Sequence, residues 1–396
     1  MKIFEIGTGY TSIPATIGAA TEIVVEELTK AFLQMGQPVE VLDIAANERG
    51  AHELPIREVK VPGIFRRTDV QLGLMHKVKR VVYSVCLAKV LKKILKKSQE
   101  PVVLHFHNQY NLFFFLKLTS KKLRQKAVIA YTNHSGIWRL PWDTVKDTIR
   151  KRYFQEATCM EQADHVFVLN EDTYLNVTQH LDVQQEKVHV ICNGVNALVY
   201  HPLAKEEVHK AKQELDLADK DVFLQVGSVY ENKGQLRSLQ RLAPMLKAQE
   251  NMVFAFVGGI VSQPYYEQVL QEAKNLGLEK QVRYLGAVSP GEELNKLYNA
   301  AHATMIASEY EGYSLVIAES LAAGVPVLMH RDCPYHIGEG CVGFEEDSFA
   351  AAAQALCADE AIRAAARKTA ETCLGWKTVA QDYQKVLLKQ EQSLQV

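Results

Sequence analysis

The sequence predicts an α/β fold built from two doubly wound, Rossmann-like domains. Short runs rich in β-branched residues alternate with helical patterns along the chain, which is typical of parallel βαβ units. This series occurs twice, on either side of a turn-rich segment at 193–202. The length supports the division, since 396 residues exceed the size at which one hydrophobic core keeps growing.

The β-branched runs place eleven strands. In the first half they are expected at 2–6, 39–43, 102–106, 127–131, 165–169 and 188–191, with the first helix starting from about Gly18. In the second half they are expected at 222–226, 253–257, 282–285, 303–307 and 325–329. The turn residues at 193–202 then predict a first domain over 1–195 and a second over 196–375.

Composition excludes several classes of protein. A formal net charge of -1 argues against nucleic-acid binding driven by bulk charge. The seven cysteines are odd in number and scattered without a Cys-x-x-Cys pair, which favours a reducing compartment. The chain starts directly with a strand-like segment, and no uninterrupted apolar run reaches 18 residues. We therefore expect a cytoplasmic protein without a membrane span.

The most informative segment runs from Glu311 to Glu319 and places two carboxylates eight positions apart. The apolar run that contains Glu319 predicts a short buried helix, and the N-terminus of a helix is a natural seat for a diphosphate. Gly312 allows close approach of the backbone. Glu319 is then placed to accept hydrogen bonds from ribose hydroxyls, while Glu311 faces a sugar. The alternative, a solvated Glu311 and a surface Glu319, is the commoner arrangement for this spacing alone.

Three further residues follow predicted strands, where open α/β sheets bind their ligands. Lys233 lies just ahead of a helix after the strand at 222–226, where a cation can neutralise a departing diphosphate. Gly18 lies in the glycine-containing segment after the first strand, and His134 follows the strand at 127–131. Each has a plain alternative: an exposed lysine, a turn glycine and a hydrogen-bonded structural histidine.

The segment Glu311-Gly-Tyr-Ser-Leu-Val-Ile-Ala-Glu319 and the following Ala-Ala-Gly-Val-Pro-Val resemble the signature of retaining GT-B glycosyltransferases, especially glycosyltransferase family four. The resemblance covers nearly the whole chain. It implies two Rossmann-like domains that face a crevice, an acceptor domain first and a nucleotide-sugar donor domain second. The helical pattern in 376–396 resembles the terminal GT-B helix, which completes the first domain.

The resemblance also implies roles for individual residues. His134 and Glu311 would act on the transferred sugar. The donor would be held by Gly18, Ser228, Lys233, Gly312, Tyr313, Ser314, Leu315 and Glu319. Two departures stand out, because Ser228 occupies a position where many members carry arginine, and Ala19 replaces the second glycine of the family's pair. No cofactor or metal is implied; the substrate is a nucleoside diphosphate sugar, with UDP favoured over GDP.

Two patterns suggest metal ligands but do not complete a site. His105 and His107 share one face of a strand, and two histidines alone do not form a metal centre, so structural or acceptor-site roles are favoured. Asp219-Lys-Asp221 precedes a strand as a polar loop, whereas a ligand site is expected after a strand. We therefore expect no metal.

Residues 76–97 predict a basic amphipathic helix. No acidic residue occurs from Gln71 to Gln99, and aliphatic residues are interleaved with eight basic ones: Lys77, Lys79, Arg80, Lys89, Lys92, Lys93, Lys96 and Lys97. Such a helix is either the solvated outer layer of the domain or a docking site for an anionic membrane. The second interpretation predicts a peripheral enzyme.

The sequence therefore favours a metal-independent retaining glycosyltransferase with a saccharide or lipid-linked acceptor, in synthesis of cell-envelope glycan or glycolipid. Two alternatives stay open. One keeps the fold but changes the reaction to that of a phosphorylase or an epimerase. The other is a catalytically silent GT-B subunit that binds a partner or a glycan, to which Ser228 and Ala19 give some weight.

Overall fold

The computed structural model describes residues 1–14, 20–67, 74–309, 313–331, 338–345, 348–358 and 360–388. The chain divides into two compact units, each with its own sheet and core. Unit 1 contains 1–193, Tyr313 and the segment from 376 onwards, and unit 2 contains 194–309 and 314–375.

Unit 1 is organised around a sheet of seven strands, counted over the described residues, in the order β3-β2-β1-β4-β5-β6-β7. All its pairings are parallel. The strands are β1 (Lys2–Ile6), β2 (Val39–Ile44), β3 (Ile56–Val59), β4 (Val102–Phe106), β5 (Ala127–Thr132), β6 (His165–Val168) and β7 (Val188–Val190). Because parallel strands end at the same edge, the loops after β1, β4 and β5 lie together.

Helices cover both faces of this sheet. They are α1 (Ala20–Gln34), α2 (Leu74–Lys97), α3 (Gln109–Leu118), α4 (Lys121–Arg124), α5 (Trp142–Arg152), α6 (Phe154–Gln162) and α7 (Glu171–His180). On one face α2 and α3 bury residues such as Leu87, Leu91 and Phe115 against β1, β2 and β4. On the other face α1 buries Leu28 and Phe32.

Unit 2 repeats the arrangement with six strands among the described residues, in the order β10-β9-β8-β11-β12-β13 and again all parallel. The strands are β8 (Asp221–Val226), β9 (Met252–Val257), β10 (Val282–Tyr284), β11 (Ala303–Ile306), β12 (Val327–His330) and β13 (Cys341–Phe344). The helices are α8 (Lys205–Glu214), α9 (Gln235–Ala248), α10 (Gln263–Asn275), α11 (Glu292–Ala300), α12 (Leu315–Ala322), α13 (Phe349–Ala358) and α14 (Glu360–Cys373).

The last helix, α15 (Trp376–Leu387), belongs to unit 1 although it follows unit 2 in the sequence. Its buried residues, including Trp376, Val379 and Tyr383, join the cluster formed by α1 and the sheet. A strongly amphipathic pattern in which one stripe is apolar is what allows a helix to close a sheet face in this way.

The predicted fold class is confirmed: each predicted strand occurs within one or two residues of its expected bounds. Two edge strands were missed. β3 is four residues long and presents Arg57 and Glu58 to solvent, and β13 is equally short and contains Gly343. Short, charged or glycine-containing edge strands carry little of the hydrophobic pattern that identifies a strand.

The packing of α1 gives a first prediction. Leu28 is completely buried between α1, α15 and the sheet, whereas Leu33 on the same helix is 41% exposed. Replacing Leu28 with alanine should lower the free energy of unfolding by about 2–5 kcal/mol, because the change leaves a cavity. Leu33→Ala should cost less than about 0.5 kcal/mol. Urea unfolding of both variants measures the difference, and equal costs would contradict the packing of this helix face.

Candidate functional site

The carboxyl end of β8 brings Lys233 to the sheet edge. A single 3-10 turn, Glu231–Lys233, follows the strand and precedes α9. The side chain of Lys233 lies along Gly227: a Cβ atom added to Gly227 would be 3.5 Å from Lys233 Cε and 3.9 Å from its Nζ. Gly227 also has a φ of 141°, which favours glycine. The backbone carbonyl of Lys233 accepts a hydrogen bond of 2.6 Å from Gln225 Nε2, which fixes the turn.

Gly234 joins this turn to the loop after β11. Its φ is 73°, and an added Cβ atom would lie 2.4 Å from the carbonyl oxygen of Ala307. The contact leaves no room for a side chain. The backbone N–H of Glu309 donates to the carbonyl of Asn232 at 2.9 Å, so the two loops are held at the same edge of the sheet.

Arg237, in the first turn of α9, reinforces the junction. Its Nη2 donates to the carbonyl of Ala307 at 2.7 Å, and its Nη1 lies 2.8 Å from Glu309 Oε1. The guanidinium therefore holds residues 307 and 309 of the loop after β11. Ser228 is half-buried, and its carbonyl accepts from Gln235 Nε2 at 3.1 Å. The loop positions of Ser228 and Lys233 thus belong to one hydrogen-bonded assembly.

The start of helix α12 carries the remaining predicted donor contacts among the described residues. Tyr313 and the buried Ser314 directly precede it, and Leu315 is its first residue. Glu319 lies in its second turn, buried, and its Oε2 accepts a 2.7 Å hydrogen bond from the hydroxyl of Tyr298 on α11. Burial raises the pKa of Glu319 to about 7, against the opposing effect of the Tyr298 hydrogen bond. The alternative of a surface glutamate is therefore excluded.

Three of the predicted site residues, Gly18, Glu311 and Gly312, lie outside the described residues. Their roles stay predictions. Tyr298 was not found by sequence reasoning, because a tyrosine in an amphipathic helix gives no sign of its partner 21 residues along the chain.

In unit 1, the half-buried His134 begins a chain of polar side chains whose other members are buried. Its Nε2 lies 3.0 Å from Nδ1 of His107, and His107 Nε2 lies 2.8 Å from Oε2 of Glu5. The second oxygen of Glu5 lies 3.0 Å from Nδ1 of His105, whose Nε2 lies 2.7 Å from the hydroxyl of Thr132. Sequence reasoning missed Glu5, although a single carboxylate within the buried run Ile-Phe-Glu-Ile is itself a signal.

Burial and the neighbouring rings determine the charges in this chain. Burial alone would raise the pKa of Glu5, but the His105 and His107 rings lower it to about 2, so Glu5 is ionised. Burial, together with the nearby His105 ring, lowers the pKa of His107 to about 4. Burial, and to a smaller extent the nearby His107 ring, hold the pKa of His134 well below its ordinary value. Both His107 and His134 are therefore neutral at neutral pH.

A second buried carboxylate holds the loop that carries His134. Glu156 on α6 accepts a 2.8 Å hydrogen bond from the hydroxyl of Tyr131 and one of 2.7 Å from the indole nitrogen of Trp138. Tyr131 precedes His134 by three residues and Trp138 follows it by four. The backbone on both sides of His134 is therefore anchored to the same side chain.

Among the described residues, Glu5, His105 and His107 are also close enough to hold a metal ion together. In the structure, however, the two ring nitrogens face different oxygens of Glu5 at ordinary hydrogen-bond distances. A metal would have to replace both hydrogen bonds with bonds of about 2.0–2.2 Å to one shared centre. The positions of Glu5, His105 and His107 therefore fit a hydrogen-bonded cluster better than a metal site.

The predicted basic helix is α2, and in the structure several of its residues that could have been exposed contact the rest of unit 1. Lys79 is buried and donates to the backbone carbonyl of Tyr10 at 2.9 Å. The guanidinium of Arg80 lies 4.4 Å from the ring centre of Tyr10. Both of these basic side chains thus serve the protein's own packing. Leu87, Leu91 and Ile94 lie in the core, so these three are not available to contact a membrane.

What remains exposed on α2 is a combined apolar and basic stripe. Its first half exposes Met75 (62%), Val78 (43%) and Val81 (40%). Its second half exposes lysines at 89, 93, 96 and 97. Within the described residues, no helix is both long and apolar enough to cross a membrane.

Two family models match most of the chain. The model described as Glycosyltransferase Family 4 matches residues 21–197, and the model described as Glycosyl transferases group 1 matches residues 205–371. The two matches correspond closely to units 1 and 2.

Curated relatives match over shorter stretches. A D-inositol 3-phosphate glycosyltransferase of Corynebacterium kroppenstedtii is 29% identical over 220 residues, which are 52% of this chain and 48% of the relative. An alpha-galactosylglucosyldiacylglycerol synthase of Streptococcus pneumoniae is 26% identical over 240 residues, 58% of this chain and 60% of the relative. The chain thus spans about half the length of the curated relatives it matches.

The solved structure of HepE from Anabaena, in complex with UDP and glucose, superimposes with a TM-score of 0.73. The match covers 98% of this chain and 99% of that one at 18% sequence identity. At this identity the likeness establishes the fold, which is GT-B.

The junction at Gly234 gives a prediction with an internal control. Gly277 has nearly the same φ, 71°, but a Cβ atom added there meets no atom within 4 Å. Gly277→Ala should therefore cost only the strain of the left-handed conformation, about 1 kcal/mol. Gly234→Ala should cost more, because its Cβ atom also overlaps the Ala307 carbonyl and must displace the loop after β11. Urea unfolding compares the two, and equal losses would show that the loop moves freely.

Proposed function

The chain belongs to the glycosyltransferases described as family 4 and group 1. We therefore propose that it transfers a sugar from a nucleoside diphosphate donor to a saccharide or lipid-linked acceptor. The proposed transfer retains the anomeric configuration and needs no metal ion. UDP is the favoured nucleotide, since the structurally similar HepE is described in complex with UDP and glucose. The alternatives are a silent subunit of the same fold, and a phosphorylase or epimerase.

The observation that carries the proposal is the junction of Lys233 with the loop before α12. The ammonium group comes from the turn at the carboxyl end of β8, which one backbone hydrogen bond of 2.9 Å ties to Glu309. Arg237, at the start of α9, adds contacts of 2.7 and 2.8 Å to residues 307 and 309. Backbone N–H groups at the start of α12 add the positive end of a helix dipole. A cation and a helix N-terminus on one sheet edge suit a diphosphate.

In the proposed step, the bond between the anomeric carbon and the diphosphate oxygen breaks while a bond to an acceptor hydroxyl oxygen forms. The electron pair of the broken bond stays on the diphosphate, and the hydroxyl proton leaves to that anion or to solvent. Lys233 and the α12 N–H groups stabilise the charge that develops on the leaving group. Such preorganised electrostatic stabilisation commonly contributes more to enzymatic rate enhancement than any other single effect.

We assign the ribose to Glu319. The hydroxyl of Tyr298 donates to one carboxylate oxygen at 2.7 Å and so fixes the orientation of the carboxylate. A carboxylate whose pKa has risen to about 7 is ready to ionise when hydroxyl donors arrive. Ser314 and Leu315 would contribute backbone contacts to the diphosphate, and Tyr313, Gly312 and Gly18 would complete the donor site.

We assign contact with the transferred sugar to His134 in unit 1 and to Glu311. The acceptor is proposed to be a saccharide or a glycolipid, because one curated relative glycosylates inositol 3-phosphate and another is a glycolipid synthase. A cytoplasmic enzyme that associates with the inner face of the membrane would reach such acceptors through the exposed stripe of α2.

Calorimetric titration with UDP tests the donor site. Lys233→Ala and Glu319→Ala should each weaken binding by about 1.5–3 kcal/mol, because each removes a hydrogen bond to or from a charged group. His134→Ala should bind UDP with unchanged affinity, since we place that side chain on the sugar. Thermal unfolding without ligand controls for loss of structure.

The same titrations test for a silent subunit, and activity assays separate the phosphorylase and epimerase alternatives. A silent subunit would bind neither UDP nor GDP, while a phosphorylase would act on phosphate and a glycoside without any nucleotide. Unchanged UDP affinity in both the Lys233 and Glu319 variants would refute the donor site itself. Tighter binding of GDP than of UDP would overturn only the choice of base.

Vesicle co-sedimentation tests the membrane proposal. Binding should require anionic lipid and should weaken as the Debye length falls from about 10 Å at 0.1 M salt to about 3 Å at 1 M. Changing Lys89, Lys93, Lys96 and Lys97 to glutamine should reduce binding. A matched variant makes the same charge change at four exposed lysines of unit 2, which are Lys205, Lys247, Lys274 and Lys280.

The matched variant should sediment like the wild-type protein. Equal losses in both variants would mean that net charge alone drives the attraction. Equal sedimentation with neutral and anionic vesicles, or none with either, would leave α2 as a solvated layer of the domain and would favour a water-soluble acceptor.

A further inference from the structure

The buried chain that ends at His134 runs across one face of the unit 1 sheet. Glu5 on β1 is paired in register with His105 on β4, and β4 is paired with β5. Residues two apart on a strand share a face, so His107 lies beyond His105, and Thr132 lies on the same side of β5. This is the face that α1 and α15 cover. The sheet therefore aligns donors and acceptors from three strands.

The directions of the hydrogen bonds follow from Glu5. An ionised carboxylate only accepts, so Nε2 of His107 must donate to it at 2.8 Å. A neutral imidazole carries one N–H, which leaves Nδ1 of His107 as an acceptor. That atom lies 3.0 Å from Nε2 of His134, so the proton between the two rings belongs to His134. The remaining ring nitrogen of His134, Nδ1, is then an acceptor.

The opposite arm keeps Glu5 in place without touching His134. His105 Nδ1 lies 3.0 Å from the other oxygen of Glu5, and Thr132 connects His105 Nε2 to the hydroxyl of Tyr383 on α15, 3.2 Å away. Both carboxylate oxygens are thus occupied. Glu5 has no freedom to rotate and exchange its partners.

We propose that Glu5 and His107 are positioning residues that hold His134 in the tautomer protonated at Nε2, so that its Nδ1 accepts a hydrogen bond from a substrate hydroxyl. This rests on the proposed function, in which His134 contacts the reacting sugar. In the other tautomer His134 would present an N–H donor to the same hydroxyl. The fixed tautomer therefore requires that the substrate hydroxyl donate to His134 rather than accept from it.

The tautomer can be measured on the wild-type protein, without substrate, by NMR of protein labelled with 15N histidine. Ring nitrogen resonances distinguish a protonated from an unprotonated nitrogen, and His134→Gln identifies the signals of His134 by their loss. We expect Nε2 protonated and Nδ1 unprotonated. A proton on Nδ1 would overturn the proposal, whatever reaction the enzyme catalyses.

Variants of His107 then test whether the fixed tautomer of His134 affects turnover. His107→Gln keeps an amide N–H for Glu5 and a carbonyl for His134, whereas His107→Leu keeps neither. His107→Leu should lower kcat about tenfold to a hundredfold with little change in KM for the nucleotide sugar, and His107→Gln should recover much of the loss. Leu33→Ala, an exposed change on α1 outside this set of hydrogen bonds, should leave kcat near the wild-type value.

Two results with the His107 variants would contradict the proposed positioning of His134. One is equal kcat for His107→Leu and wild type, and the other is equal loss in His107→Gln and His107→Leu, which would indicate packing alone. An equimolar divalent ion that is bound by the wild type and lost in His107→Leu would mean that Glu5 and His107 are ligands instead. Absence of nucleotide-sugar turnover in the wild type would refute the proposed function while the NMR result still decides the tautomer.

Discussion

Glu5 occupies an interior strand of the unit 1 sheet where water does not reach it, and its charge must be met by donors from neighbouring strands. An unpaired carboxylate at such a depth would cost several kcal/mol. Two histidine rings on β4 and in the loop that follows it meet the carboxylate at 3.0 and 2.8 Å and lower its pKa to about 2. The register of β1 against β4 is consequently fixed by charge as well as by hydrophobic packing. A slip of one residue would turn Glu5 to the opposite face, away from both rings.

The two units solve the placement of polar groups in different ways. In unit 1 a row of hydrogen-bonded polar side chains runs across the sheet from Thr132 to His134 at the strand ends. In unit 2 the polar contacts at the edge are made mainly by backbone groups and by Arg237, whose donors meet the carbonyl of Ala307 and the carboxylate of Glu309. Backbone-built sites tolerate changes of side chain. This explains how Ser228 can stand at a position where arginine is common in the family without disturbing the loop.

Much of this architecture was predictable because buried parallel strands leave a strong local pattern. The positions of β1, β4, β8 and β9 follow from continuous β-branched runs, and Lys233 and His134 could be proposed from their places after strands. The partners of those residues could not. Glu5 and His107 are 102 residues apart, and Tyr298 lies 21 residues from Glu319. Contacts set by register and helix packing leave no local trace.

The surface of α2 illustrates a different limit. Sequence periodicity separated basic from apolar residues, but both Lys79 and the core-facing leucines serve the interior. A lysine can be buried when its ammonium finds backbone carbonyls, as Lys79 does with Tyr10. Counting the basic residues along a helix therefore overestimates the charge that the helix presents on its outer surface.

The place of α15 has a consequence for the order in which the protein assembles during synthesis. Residues 376–387 leave the ribosome only after all of unit 2, yet they cover Leu28 and Phe32 of α1, which are made before unit 2 begins. Unit 2 is nearly continuous in sequence, so it can finish folding while unit 1 still waits for its last helix. During that interval the apolar face of α1 is uncovered, and a nascent chain in this state is a natural substrate for chaperones.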